Sequence, residues 1–224
     1  MSRNKKFLGF VLLAVALVFS GMAVYSSTID LPKTGQTGCW DEIGAIVTCA
    51  GTGQDGDKLA GAAWPSPRFV AAGTGDCTSG SCIKDNLTGL IWTKNAGTPT
   101  TTTPACTGGI KTWGAALTYV ACLNGGSGYA GKTDWRLPNA LELSSLVNAN
   151  YGNQVTVWLI TTAGFTGVND TTWYWASTTY ASVPQKAWSV WFKTQQILEG
   201  AGAGGAEETK ETKSYYVWPV RGGS

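Results

Sequence analysis

Residues 133–143 read TDWRLPNALEL, and this stretch decides the class of fold. Pro138 ends whatever precedes it, because its ring disfavours helical backbone at the residue before. Asn139 then supplies a side-chain oxygen suited to a helix N-cap, and Glu142 stands three residues later, which completes a capping box. Leu143, Leu146 and Val147 share one face of the helix that follows, so a helix is expected to run from here to about Asn150-Tyr151-Gly152. Upstream, Trp113, Ala116, Leu117 and Val120 recur at i, i+3, i+4 and i+7, which predicts a first helix over 112–124, stopped by Gly125-Gly126.

The remaining periodic segments are short and extended. Arg68-Phe69-Val70, Ser81 to Lys84 and Leu90 to Thr93 read as strands, the last two joined by turn residues Asp85-Asn86-Leu87-Thr88-Gly89. Trp173 to Ser177, Ala187 to Lys193 and Tyr215 to Val220 are strands by aromatic and β-branched content. In the second of these, Trp188, Val190 and Phe192 alternate with Ser189, Trp191 and Lys193. Residues 152–172 read as a long loop, 95–109 as a Thr/Gly/Pro loop, and 199–213 as a flexible excursion between strands. Two helices amid short strands, without β-α-β alternation, mean an α+β fold with a mostly antiparallel sheet.

Three positive charges, Arg3, Lys5 and Lys6, precede an uncharged run from Phe7 to Tyr25. This is the pattern of a signal peptide, with Gly21-Met22-Ala23 as the cleavage site and residues 1–23 removed. An uncleaved anchor is the competing reading, and it would give the only membrane attachment. A pilin-type leader cut after Gly9 fits less well, because Ala14 stands where such leaders carry glutamate. The expected organisation is a signal peptide at 1–23, an irregular segment at 24–66 and a folded domain at 67–224. The expected location is extracellular or cell-surface, with the periplasm as alternative.

The chain carries a formal charge of +2, and all of that excess lies in the leader. Nothing in this balance suits a nucleic-acid partner. The chain has 6 cysteines and no histidine. The missing imidazole removes Ser-His-Asp and Cys-His catalysis and His-ligated metals. All the cysteines follow the leader, and an even number in an exported chain argues for disulfides. Their grouping suggests Cys39–Cys49, Cys77–Cys82 and Cys106–Cys122 among fifteen connectivities. Zinc is disfavoured by the lack of closely spaced pairs.

DNLTGLIWTKN at 85–95, KTWGAAL at 111–117, TDWRLPNALEL, YWASTTYA at 174–181 and YYVWPVRGG at 215–223 occur in the order seen in one family. The chain resembles the exported bacterial domains typified by the C-terminal domain of the Legionella collagen-like adhesin, over about residues 60–223. The resemblance implies a C-type-lectin-like fold, related to formylglycine-generating enzymes: a small twisted antiparallel sheet, two helices and long loops. It further implies a role in binding, since the adhesin type is associated with sulfated polysaccharides and with trimerisation behind a collagen-like stalk. This chain has no Gly-X-Y tract, and Lys186, Lys193 and Arg221 are scattered rather than clustered, which argues against a sulfate-binding surface. No cysteine follows Cys122, so the thiols that the enzymatic relatives use near the C-terminal end are missing, and no enzyme activity is expected.

The function expected is therefore that of an exported, non-catalytic, adhesin-like module binding a carbohydrate or a protein at the cell surface or in the matrix. A structural subunit of a filament or surface layer is the alternative, homo-oligomerisation included; a formylglycine-generating type of enzyme is the third. Trp92, Trp113, Trp135, Trp175, Trp188 and Trp218 lie in the shared motifs and read as core. Trp40, Trp64, Trp158, Trp173 and Trp191 lie in loops or on the opposite strand face. Of these, Trp158, Trp173 and Trp191 are the ligand-contact candidates, since exposed rings stack on sugars or partner surfaces. No cofactor is expected other than calcium, for which Asp55 and Asp57 in GQDGD are the nominated ligands. Asp134, Arg136 and Arg221 are expected to pair structurally, and Glu142 to cap.

Overall fold

A computed structural model describes residues 31–78, 80–193, 196–199 and 209–222. Residues 1–30 (the expected signal peptide among them), the greater part of the expected 199–213 excursion and the last two residues lie outside the described residues. In chain order the elements are β1 (Cys39–Trp40), β2 (Ile46–Val47), α1 (Asp55–Lys58), β3 (Phe69–Ala71), β4 (Cys82–Asp85), β5 (Ile91–Thr93), β6 (Thr101–Thr102) and β7 (Ala105–Cys106). Then come α2 (Trp113–Leu123), α3 (Ala140–Ser144), a 3-10 turn (Ala149–Gln154), α4 (Val155–Thr161), β8 (Tyr174–Thr179), β9 (Ala187–Trp191), β10 (Gln196–Glu199) and β11 (Val220–Arg221). This is an α+β protein with small antiparallel sheets. One sheet has the order β11-β5-β4-β3 and another β10-β9-β8, while β1-β2 and β6-β7 are separate hairpins.

Consecutive residues of a strand point to opposite faces, and here each face has its own core. Trp92, Tyr174 and Trp218 are buried in one, with Leu143, Leu146, Val155, Trp158 and Leu159 from α3, α4 and the turn between them. Their neighbours Ile91, Trp175 and Val217 enter the other, with Ala116, Tyr119, Val120 and Leu123 of α2. Helices thus cover both faces. The segment 215–218 docks beside β8 without forming a regular strand: Tyr216 pairs with Tyr174 in an isolated parallel bridge, and only Val220–Arg221 joins a ladder, against β5. This corrects the expected strand over 215–220.

The capping box forms as read. Asn139 accepts from the Glu142 N–H while the Glu142 carboxylate accepts from the Asn139 N–H. The same carboxylate holds Arg136 in two bonds of 2.6 and 2.7 Å, and Arg136 also donates to the Gly222 carbonyl. Arg136 is half-exposed (40%), and its paired arrangement lifts its pKa through the Glu142 hydrogen bonds first. Arg221 donates to Asp134 at 2.7 Å, which fixes β11 to the WRLP segment and pulls the Asp134 pKa down.

Three helical expectations need correction. The second helix stops at Ser144, because the Ser144 and Ser145 hydroxyls bond back to the Ala140 and Glu142 carbonyls and Asn148 caps a new 3-10 turn at Asn150. The long loop expected at 152–172 contains α4. Its β-branched residues suggest no helix, yet Val155, Trp158 and Leu159 bury one stripe at i, i+3 and i+4. On α2 the buried face is Ala116, Tyr119, Val120 and Leu123, with Leu117 exposed.

The disulfides are Cys39–Cys49, Cys77–Cys82 and Cys106–Cys122, as their local grouping suggested. Cys106–Cys122 ties β7 to the end of α2. Cys77–Cys82 closes the loop before β4. Cys39–Cys49 braces the β1-β2 hairpin, and its sulfurs press on Gly56, where a Cβ would sit 2.9 Å from Cys39 Sγ and 2.5 Å from the Gly38 carbonyl.

Candidate functional site

Residues 31–66 are closed by an internal bridge and tied to the 148–150 turn by hydrogen bonds. Pro32 bridges Ala62, the Ala149 N–H donates to the Thr34 carbonyl at 3.0 Å, and the Asn150 side chain accepts from the Thr37 N–H at 3.0 Å. This arrangement carries Trp64, flanked by Pro65, over the surface beside α4. The Trp64 indole N–H donates to the Lys33 carbonyl at 2.8 Å, which sets the ring's orientation.

Four aromatic rings then converge. The Trp64 and Trp158 centroids are 5.7 Å apart, Tyr151 and Trp158 5.8 Å, and Phe69 and Trp158 5.6 Å, edge to face. Together with Pro67 and Arg68 they wall an open groove of about 340 Å³. Trp158 itself is only 5% exposed and forms the floor, whereas Tyr151 is 38% exposed at the rim. Gly35 makes the close approach on the far side possible. It has φ +87°, and a Cβ there would lie 2.5 Å from Asn148 Oδ1 and 2.7 Å from the Trp64 ring. Two smaller hollows of about 260 and 270 Å³ adjoin the other sides of Trp64.

Beneath Trp64 lies a buried ion pair. Arg68 Nε and Nη2 donate to the two oxygens of Asp85 at 3.0 and 2.9 Å, and Nη2 also donates to the Ser145 carbonyl at 2.6 Å. Asp85 accepts further bonds from the Leu87 N–H and the Thr88 hydroxyl. The guanidinium carbon stands 4.3 Å from the Trp64 ring centre and 4.7 Å from that of Phe69, so the cation is held between two π faces.

The three nominated tryptophans do not share a site. Trp158, expected in a loop, is on α4 in the first core and contributes the floor just described. Trp173 and Trp191 belong to the second core, with ring centres 5.5 Å apart. Trp173 is buried, contrary to the expected exposure, and half-buried Trp191 donates its indole N–H to the Asp170 carbonyl at 2.9 Å.

Asp55 and Asp57 both lie on the single turn of α1, two residues apart, and so do not face one another. Asp55 accepts from the Thr34 hydroxyl. Asp57 accepts from the Gly51 and Gly53 N–H groups and pairs with Lys58 at 3.1 Å; the Gly53 bond is the main cause of its lowered pKa. Among the described residues no group of three acidic, cysteine or histidine side chains converges, so no third side chain of that kind joins these two carboxylates toward the six to eight oxygens that calcium takes. Among the described cations, Lys58, Arg68, Lys84, Arg136 and Arg221 are paired with carboxylates.

Sequence reading missed Tyr151, Phe69, Arg68 and Gly35. They meet through long-range packing, which leaves no local periodic mark. One signal was present: in WPSPR at 64–68 two prolines stiffen the chain on either side of a seryl residue, a fixed mount for the aromatic ring and the guanidinium.

A family model described as the Lcl C-terminal domain matches residues 81–221. No curated protein matches the chain. Asn148, Tyr151 and Trp158 lie within the matched span, while Trp64, Arg68 and Phe69 precede it.

Proposed function

The chain belongs to the Lcl C-terminal domain family, and from that premise we propose that it is an exported, non-catalytic binding module of adhesin type that holds a carbohydrate in the groove of Trp64, Tyr151 and Trp158. The observation that carries this reading is the convergence of those rings on one open groove. Pyranose rings present C–H faces that stack on aromatic π surfaces, and such stacking needs no net charge. The closed disulfides support export to an oxidising compartment. All the cysteines are bonded to one another and the chain has no histidine, which supports recognition rather than turnover. Helices over both faces of small antiparallel sheets are compatible with a C-type-lectin-like arrangement.

A glycan array probed with the exported protein and with Tyr151→Ala tests the reading. Tyr151 stands at the rim, so its removal should spare the fold. Retained glycans that the variant loses support the groove; identical binding by both proteins overturns it.

A second reading, a subunit of a filament or surface layer, draws on the β1-β2 hairpin, where Ile43 and Ile46 are 90% and 83% exposed beside Trp40. Subunit contacts commonly cover such apolar projections. Native protein that sediments as a monomer at all concentrations tells against it.

A further inference from the structure

Arg68 spends only part of its donor capacity inside the protein. Its side chain is 5% exposed, and Nη1 is buried without a hydrogen-bond partner. Buried donors without acceptors are rare and costly, so each calls for an explanation. The two-bond engagement of Asp85 by Nε and Nη2 fixes the guanidinium plane and turns Nη1 to the side away from that carboxylate. Arg68 lines both the large groove and the hollow on the other side of Trp64. The indole above it covers the guanidinium, with hollows beside the ring on more than one flank.

We infer that Arg68 Nη1 is the polar anchor of this groove and that the ligand class is an uncharged pyranose oligosaccharide, which offers a hydroxyl or carbonyl oxygen to Nη1 while its C–H face lies on Trp64 and Tyr151. The inference rests on the carbohydrate reading above and adds the ligand's charge to it. Asp85 already balances the Arg68 cation, and among the described residues Arg68 is the one charged side chain lining the large groove. A sulfate or uronate in this groove would lose its hydration and come close to the Asp85 carboxylate, while the second cation nearby, Lys33, lines the adjoining hollows and not the groove. A neutral oxygen satisfies the donor without that penalty. Entry of the acceptor requires Trp64 to tilt off the guanidinium, so the ring is both cover and stacking platform.

Isothermal titration of the exported protein with cellohexaose, chitohexaose and hexagalacturonate, each at about 50 and about 500 mM salt, tests this. The expected result is binding of a neutral oligomer with an affinity that changes less than about twofold across that salt range. Trp64→Ala, which keeps the Arg68–Asp85 pair, should lower the affinity at least about tenfold, and Arg68→Lys should do likewise if it folds by near-UV circular dichroism. Binding of hexagalacturonate alone, or an affinity that collapses with salt, overturns the inference while leaving carbohydrate recognition in place. Unchanged neutral binding in Trp64→Ala also overturns it. Failure of all three oligomers to bind removes both.

Discussion

Arg68 and Asp85 meet edge to edge, Nε to Oδ1 at 3.0 Å and Nη2 to Oδ2 at 2.9 Å, with the carboxylate side chain fully buried. The pair joins the loop before β3 to the end of β4 and sets the plane on which Trp64 rests. Removing one member of a buried pair strands the other's charge, at a cost of about 3–5 kcal/mol. Asp85→Asn should therefore lower stability by that amount in urea unfolding, and a loss below about 1 kcal/mol would place the pair among energetically neutral contacts.

Trp135 is 2% exposed; its indole N–H donates to the Tyr129 carbonyl at 2.8 Å and its backbone N–H to Asn124 Oδ1 at 2.8 Å. Truncation to alanine removes a large ring from the core under α2. The expected cost is about 3–5 kcal/mol by chemical denaturation. A change within the range typical of surface substitutions would show that the loop 124–135 does not pack as described.

The Cys106–Cys122 bond closes a loop with a sequence separation of 16 and anchors the end of α2. The double substitution to serine should destabilise by about 3 kcal/mol through the freedom returned to the unfolded chain. Intact stability by thermal unfolding would mean that the α2 packing alone fixes this region.

Asp134 and Asp57 are held below the ordinary carboxylate range, Asp134 chiefly by the Arg221 hydrogen bond and Asp57 chiefly by the Gly53 N–H. A carboxylate with a folded pKa below its unfolded value adds stability that is fully present above about pH 3.9 and is lost as pH falls through the depressed value. Urea midpoints measured from neutral pH downward should fall in that acidic window, and less steeply in Asp134→Asn. An identical slope in the variant would remove Asp134 from the acid response.

What the sequence shows best is what is local. The Asn139–Glu142 box spans one turn, the disulfide partners are neighbours in the chain, and the turn at 85–89 is built from residues that favour it. Trp92, Trp135, Trp175 and Trp218 were legible as core because they lie in the motifs shared with the family. Helix α4 was hidden because VTVWLIT is rich in β-branched residues; tertiary burial of Val155, Trp158 and Leu159 overrides that propensity. The groove was legible only in part. Trp158 could be singled out as unusual, but its partner Trp64 lies far off in the chain, and their meeting depends on the 31–66 segment folding back onto the 148–150 turn.

Oxidative footprinting of tyrosine and tryptophan, with and without a saturating neutral oligosaccharide, tests the central claim most directly. The account predicts protection at Trp64 and Tyr151, with Trp40 on the hairpin and Trp191 over the second core unchanged. Protection confined to Trp40 or Trp191, with Trp64 and Tyr151 oxidised as in the free protein, would contradict it.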